Sequence, residues 1–393
     1  MTTRALRIVQ VGTGVLSAEE SSKGGIERYI YHLSENLVAI GNAVFVIDIG
    51  KQSGQAGFRR IKIPVLRLKK ANDLTHAFRM IGYCLYTIFV IMKLQRDRQV
   101  DIVHTHTQFP LFFIILARKL HLLGKTKVVH TLHNPNMFAN EKRWGVSFEY
   151  YGIRNSNLLV ALSRSNLQRY LREYGQLSGQ SVVINIGIDE ANIGRIVRRE
   201  KNAGPQVILC VSRISPRKNQ KQLLKAIPFV TQSIGSVKVI LAGPIDDEEY
   251  AQELADCVEE AGLAGVVSIT GAVSPDTLYN LYSQADIFVL SSRWEGQPAV
   301  LIEAMCLGVP IAASDIGPVR ETIARDDGHL IGCLFDPNSP ESIAQAIIGV
   351  LSNEPLRDLM SREGRALCAN YTWAKVAGHV ASEYRGLITQ PQL

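Results

Sequence analysis

Two glutamates stand eight positions apart in Ser291-Ser292-Arg293-Trp294-Glu295-Gly296-Gln297-Pro298-Ala299-Val300-Leu301-Ile302-Glu303. An apolar run ends at Ser292, and a helix is predicted to begin near Pro298, a residue suited to a first helical turn. The backbone N–H groups of Ala299 and Val300 then have no helical carbonyl to bond and lie at the positive end of the helix dipole, which makes them a site for a diphosphate. Glu303, one turn further in, can accept two hydrogen bonds from a ribose diol, and Glu295 on the loop can reach a sugar or the ribose. The competing interpretation is that both carboxylates only complement the helix dipole.

A second loop of the same kind is Val211-Ser212-Arg213-Ile214-Ser215-Pro216-Arg217-Lys218-Asn219. Arg213, with its planar fork, and Lys218, as a point charge, are suited to neutralising a leaving diphosphate. Taken alone, they could equally be solvated loop cations of little consequence. In the first half, Lys23-Gly24-Gly25-Ile26-Glu27 joins a strand to a helix, and its paired glycines permit close backbone approach to a ligand. This is not the G-x-G-x-x-G fingerprint of a dinucleotide site. His133 ends the strand Val128-Val129-His130-Thr131-Leu132-His133, just before Asn134-Pro135. His104 and His106 close the preceding strand, where each is either an acceptor contact or a satisfied core histidine.

The chain has no Asp-x-Asp and no His/Cys cluster at zinc spacing. Arg, Lys and the helix dipole are therefore expected to carry a leaving diphosphate, with no metal and no other cofactor.

Such residues need a scaffold that ends many strands at one edge. Apolar runs alternate with helix-length segments: Leu6–Val11, Ala43–Ile49, Asp101–His106, Lys127–His133, Leu158–Ser163 and Val182–Ile188, with helices such as Gly25–Ile40 and Phe109–Leu123. Runs apolar on both sides suit parallel strands covered on both faces. A polar stretch over Glu190–Pro205 is predicted as a linker. The rhythm then restarts at Gln206–Ser212, Val237–Ala242, Val266–Gly271, Ile287–Ser292, Pro310–Ser314 and His329–Phe335. The expected fold is α/β, with two doubly wound Rossmann-like domains facing across a cleft. Their expected limits are 1–195, for the acceptor, and 204–370, for the donor. A C-terminal helix in 371–393 is expected to pack back toward the first domain.

A chain of 393 residues, 46% hydrophobic and 20% charged, has the size and composition of two globular domains. Its net charge of +7 is unevenly spread: residues 1–200 hold 28 Lys and Arg against 14 Asp and Glu, the remainder 15 against 22. The basic half fits an anionic membrane surface or a phosphate-bearing acceptor, and no nucleic-acid partner is expected. Met80 to Met92, flanked by Arg79 and Lys93, falls short of the ~18–20 residues that span a bilayer, so a buried helix is expected in preference to a re-entrant or interfacial segment. The opening Met-Thr-Thr-Arg runs at once into an apolar strand, so no secretory leader is expected. The six cysteines lie singly, most in apolar runs, and are expected to be buried thiols in a reducing compartment.

Together these pieces resemble the family 4 retaining glycosyltransferases (glycosyl transferases group 1) of GT-B fold, over nearly the whole chain. The resemblance is carried by Glu295-Gly296, then Glu303-Ala304-Met305-Cys306-Leu307-Gly308-Val309-Pro310, Ser314-Asp315-Ile316-Gly317, Glu321-Thr322-Ile323, Ala242-Gly243-Pro244, Gly24-Gly25 and Tyr371-Thr372-Trp373. It implies that Arg213 and Lys218 bind the donor diphosphate, with Pro298, Ala299, Val300 and the Gly24-Gly25 pair around it. Glu303 would hold the ribose, Glu295 the transferred sugar, and His133 would lie near the anomeric carbon. Retention by front-face attack, with the leaving phosphate oxygen helping to deprotonate the acceptor, needs no glycosidase-like carboxylate pair.

Three departures stand out. Ile186-Gly187-Ile188-Asp189 replaces a usual Asn-Gly-Val-Asp, Ser291 stands where proline is common, and Gly317-Pro318 replaces Gly-Gly. None removes a diphosphate or ribose ligand. The function expected is transfer of a hexose or N-acetylhexosamine from a nucleotide diphosphate sugar, a UDP-sugar first, to a glycan or lipid-linked acceptor. The setting would be cell-surface polysaccharide or lipopolysaccharide synthesis, by a cytoplasmic enzyme peripheral to the inner membrane face. The alternatives are a nucleotide-sugar epimerase of the same fold and an inactive nucleotide-sugar-binding scaffold.

Overall fold

A computed structural model of the chain describes residues 4–19, 24–50, 56–64, 73–97, 100–133, 145–175, 177–188, 193 and 204–389. The chain forms two compact units, residues 1–187 with 373–393, and residues 188–372. Lys23, Asn134, Pro135, Asp189 and most of the expected linker lie outside the described residues.

The first unit runs β1 (Arg7–Val11), α1 (Gly25–Ala39), β2 (Ala43–Asp48), β3 (Arg59–Lys62), α2 (Asp73–Arg96), β4 (Ile102–Thr105), α3 (Gln108–Lys119), β5 (Lys127–Leu132), α4 (Gly145–Arg154), β6 (Leu158–Ala161), α5 (Arg164–Tyr174) and β7 (Gln180–Val183). Its seven strands pair in parallel in the order β3-β2-β1-β4-β5-β6-β7. Successive side chains leave opposite faces of a strand, so one apolar run feeds two cores. Ile8, Val46, Ile102 and Val129 pack with α1 and the closing helix Trp373–Thr389. Val9, Ile47, Val103 and Val128 pack with α2 and α3 on the other face. The closing helix is locked at its start, where Trp373 meets Tyr29 edge-on at 5.2 Å and stacks on His32 at 5.4 Å. Gly187 is obligatory there, since a Cβ would lie 2.5 Å from the Trp373 ring.

The second unit repeats the plan: β8 (Gln206–Val211), α6 (Gln220–Ile234), β9 (Val237–Ala242), α7 (Glu248–Glu260), β10 (Val267–Gly271), α8 (Pro275–Gln284), β11 (Ile287–Leu290), α9 (Ala299–Cys306), β12 (Ile311–Ser314), α10 (Gly317–Ile323), β13 (Cys333–Phe335), α11 (Pro340–Leu351) and α12 (Glu354–Cys368). The strand order is β10-β9-β8-β11-β12-β13, again all parallel. Both sheets are thus of Rossmann type, with β1 and β8 at the points where the winding reverses.

Four expectations need correction. β3 was not anticipated, because Arg-Arg-Ile-Lys reads as polar; at a sheet edge such a strand needs little apolar cover. β7 spans Gln180–Val183, earlier than the predicted Val182–Ile188. The helix expected to be buried at Met80–Met92 extends over Asp73–Arg96, and only one of its faces is covered. Finally, Cys306 and Cys368 are joined as a disulfide, with Cα atoms 5.2 Å apart, at the ends of α9 and α12. Isolated thiols remain at Cys84, Cys210, Cys257 and Cys333. A separation of 62 residues hides such a pair from spacing rules.

Two core histidines of the first unit are held by hydroxyl partners. His104, fully buried, contacts Tyr384 Oη through Nδ1 at 2.6 Å and Thr131 Oγ1 through Nε2 at 2.7 Å. His130 Nδ1 lies 2.9 Å from Thr105 Oγ1. Burial, aided by neighbouring histidines, holds His104 and His106 well below the ordinary imidazole range, and burial brings His130 down to about 3. These rings are neutral in the folded chain, whereas the unfolded chain takes up protons below about pH 6.5. Stability is therefore full above that pH and falls as acid is added, by roughly 1.4 kcal/mol per pH unit for each such histidine. We expect the calorimetric melting temperature of the first unit to drop steadily from pH 6.5 to 5, and the slope to flatten in His130→Gln. A melting temperature constant over that range would mean the rings take up protons equally in the folded and unfolded chain.

Candidate functional site

In an open parallel sheet, the strands flanking the reversal point send their following loops to opposite sides and leave a crevice at their carboxyl ends. In the second unit those strands are β8 and β11, paired through Ile208–Ile287 and Leu209–Phe288. The loops after them carry Arg213 with Lys218 and Glu295 with Glu303.

The register brings two of these residues into contact. Lys218 Nζ donates to Glu295 Oε1 at 2.6 Å, both side chains being about nine-tenths buried. The contact depends on local backbone. Pro216–Lys218 forms one 3-10 turn, and Asn219 then takes a left-handed conformation (φ 59°) that starts α6. Asn219 Nδ2 donates to the Pro337 carbonyl at 2.7 Å, and Gln220 Nε2 bonds Ser212 Oγ and the Arg213 carbonyl. From the other loop, Ser291 Oγ donates to the Lys218 carbonyl at 2.9 Å, and Arg293 N–H to the Arg217 carbonyl at 3.0 Å. The Arg217 guanidinium lies over the Trp294 ring at 5.4 Å. Gly243 is obligatory beside this loop, since a Cβ would fall 2.0 Å from the Ser212 carbonyl oxygen.

Pro298 is the residue before helix α9, not within its first turn. Ala299 and Val300 are the first two helical residues, so their N–H groups precede the first intrahelical donor, as expected. Glu303 is half-buried, and its Oε2 accepts from Tyr282 Oη at 3.1 Å; the same hydroxyl lies 3.1 Å from the Val300 carbonyl. Tyr282 thus orients the carboxylate of α9 from α8, a role no sequence spacing announced. Arg213 is exposed and bonds Asp246 at 2.9 Å. It does not reach the Lys218–Glu295 pair through any of these bonds. Ser292 Oγ is buried with no partner among the described residues.

In the first unit the loops follow β1, β4 and β5. His106 Nε2 lies 2.8 Å from Gln10 Oε1, and His106 Nδ1 lies 3.0 Å from His133 Nε2. The amide oxygen can only accept, so His106 carries its proton on Nε2. Being neutral, it accepts at Nδ1 from His133 Nε2–H, which leaves His133 Nδ1 as that ring's acceptor. Burial and the neighbouring His130 hold His133 below the ordinary range, at about 3. Tyr29 of α1 packs edge-on against the His133 ring at 4.7 Å. His133 is partly exposed at the end of β5. His104 is otherwise: both nitrogens are engaged in the core, so it is a satisfied histidine and not an acceptor contact. His106, almost as buried, touches His133 and positions it.

Gly24 and Gly25 differ in their reasons. A Cβ on Gly24 would lie 1.8 Å from a Glu27 carboxylate oxygen, whereas one on Gly25 would meet nothing within 4 Å. Glu27, buried at the start of α1, accepts from Thr13 Oγ1 at 2.7 Å and so ties the loop after β1 to the helix. Gly25 is therefore the position open to an approaching group.

Residues 23–192 match the family described as Glycosyltransferase Family 4, and residues 195–367 match Glycosyl transferases group 1. An uncharacterized glycosyltransferase of Methanocaldococcus jannaschii is 22% identical over 385 residues, covering 92% of this chain and 94% of its own. The alpha-monoglucosyldiacylglycerol synthase of Streptococcus pneumoniae is 26% identical over 356 residues, covering 84% and 76%. Among solved structures, HepE of Anabaena in complex with UDP superposes with a TM-score of 0.75 at 17% identity, covering 96% of this chain and 99% of that one. The two matched segments account for nearly all of the chain, which belongs to the family 4 (group 1) glycosyltransferases and is a glycosyltransferase of the GT-B fold class.

Proposed function

We propose that this chain transfers a hexose or N-acetylhexosamine from a nucleotide diphosphate sugar, UDP-linked by preference, with retention of configuration and without a metal ion. The acceptor is a glycan or a lipid-linked intermediate of cell-surface polysaccharide assembly, met by a cytoplasmic enzyme at the membrane face. The observation that carries this reading is the buried Lys218–Glu295 pair between the loops after β8 and β11.

In this reading a diphosphate entering that crevice competes with Glu295 for the Lys218 ammonium. It receives two further donors from the N–H groups of Ala299 and Val300, and the Arg213 guanidinium closes on its exposed side. As the bond from anomeric carbon to phosphate oxygen breaks, the growing negative charge falls where these positive groups are already in place. The acceptor hydroxyl passes its proton to the departing phosphate oxygen while its own oxygen bonds the anomeric carbon on the same face. Glu303, held by Tyr282, takes the ribose diol. Glu295, freed from Lys218, turns to the sugar hydroxyls. His133 remains neutral, the form that can accept a sugar hydroxyl at Nδ1. A relative whose name specifies a glucosyldiacylglycerol product supports a lipid-borne acceptor. An epimerase would return an epimerised nucleotide sugar with no net release of nucleotide diphosphate, whereas a transferase releases it in proportion to acceptor consumed.

Calorimetric titration of UDP, GDP and ADP in excess chelator should show one of them, UDP first, binding at a single site. No binding by any would move the inactive scaffold to the front, and turnover abolished by chelator and restored by magnesium or manganese would overturn metal independence. Replacing Lys218 by Ala strands the buried Glu295 carboxylate and should cost about 3–5 kcal/mol of stability, together with about a hundredfold or more in turnover. The double replacement Lys218→Met with Glu295→Leu should restore the melting temperature but not the turnover. Recovery of activity in the double variant would show the pair to be purely structural.

A further inference from the structure

Helix α2 carries an outward face that no soluble surface requires. Its inner side belongs to the core: Met80, Tyr83, Cys84, Val90 and Ile91 are buried against the first sheet, and Tyr83 Oη lies 3.1 Å from both the Gly12 and Ile47 carbonyls. A helix so placed normally turns polar residues to water. Here the opposite side repeats every three to four residues as Phe78, Ile81, Leu85 and Phe89, with Tyr86 alongside, and Phe78, Leu85 and Phe89 are 66%, 55% and 60% exposed. The segment Ala77–Arg96 is long and apolar enough to cross a membrane. Its packing rules that out for the folded chain, because insertion would strip the sheet of one cover.

Charge completes the picture. No acidic residue occurs from Leu74 to Arg96, or from Ile102 through α3 to Asn140. The exposed stripe ends in exposed Lys93 and Arg96. Thr126 Oγ1 donates to Gln95 at 3.2 Å, so this end of α2 abuts the turn after α3, where Lys119, Leu120, Leu122 and Lys125 are exposed. The surface is apolar with a mainly cationic border, in which Lys93, Arg96, Lys119 and Lys125 outnumber the exposed Asp97.

We propose that this face of α2 is a docking surface for an anionic lipid bilayer, with the helix lying in the plane of the headgroups. Phe78, Leu85 and Phe89 enter the acyl boundary, while Lys93 and Arg96 pair with headgroup phosphates. A second copy of the chain is a poorer occupant. It would offer the same predominantly cationic border, so most of the cations of each copy would meet like charge. The assignment rests on the membrane element of the proposed function and names the surface responsible. It is read without nucleotide, so failure of donor binding and failure of this proposal are separate results.

The test is co-sedimentation with phosphatidylcholine vesicles, with and without phosphatidylglycerol. The wild-type chain should bind only the anionic vesicles and lose that binding as salt rises. Phe78→Gln with Leu85→Gln and Phe89→Gln should weaken binding by about tenfold or more, with UDP titration unchanged. In case the triple variant folds poorly, Phe89→Trp keeps the face apolar, and its added emission should be quenched by brominated anionic lipid. Vesicle binding that is absent, or equal in the triple variant, overturns the proposal. So does a wild-type dimer that dissociates in the triple variant without any vesicle binding, which would make the occupant a second copy.

Discussion

An ammonium and a carboxylate taken out of water each lose several kcal/mol of hydration, and only close contact with good geometry returns it. Lys218 and Glu295 meet that condition at 2.6 Å, and much of the second unit serves to keep them there. The parallel pairing of β8 with β11 sets the two loops side by side. The left-handed Asn219, the Ser291 hydroxyl on the Lys218 carbonyl and the bare Gly243 fix the backbone on either side. A surface pair at the same spacing would be screened and worth little; a buried one is costly to break and stays sensitive to any new anion. Such a pair is a poor stabiliser compared with apolar packing of equal volume, which makes function the better account of its placement.

The first unit buries one charged pair, Arg60 with Asp48, but relies mainly on neutral rings. Its strand ends carry four histidines, at positions 104, 106, 130 and 133, all held neutral. Neutral imidazole offers one donor and one acceptor, so a chain of such rings passes orientation along: Gln10 fixes His106, which fixes His133.

Much of this was legible in the residues because buried parallel strands are short apolar runs and their ends are abrupt. Ser292 and Ser212 mark those ends, and Glu295, Glu303, Arg213 and Lys218 follow at loop distances. What escaped was whatever depends on a partner distant in the chain. Tyr282 looks like any amphipathic residue until α8 brings it to Glu303. Cys306 and Cys368 find each other only when α9 packs on α12. His104 and His106 share one strand end and one residue type, and only their partners separate core from site. β3 failed a hydrophobicity criterion that suits central strands and not edges. For α2 the limit was one of principle: a helix apolar all round shows no periodicity, so nothing in its sequence says which face is covered.

That same helix shows how one anchor can serve two surfaces. Tyr83 fills the space beside Gly14, where a Cβ would sit 2.9 Å from its ring, and its hydroxyl lies against the Gly12 carbonyl. Gly12 and Gly14 begin the loop after β1, and Thr13 between them bonds Glu27, which folds back over Gly24 at the start of α1. The inner face of α2 and the glycine turn at Gly24-Gly25 are therefore parts of one packed body. Close-packed interiors transmit displacement because they have few voids to absorb it. Whatever holds the outer face of α2 at a fixed depth also fixes the orientation of the loop that opens at Gly25. Tyr83 is the contact shared by the two, since its ring meets Gly14 and its hydroxyl the Gly12 carbonyl.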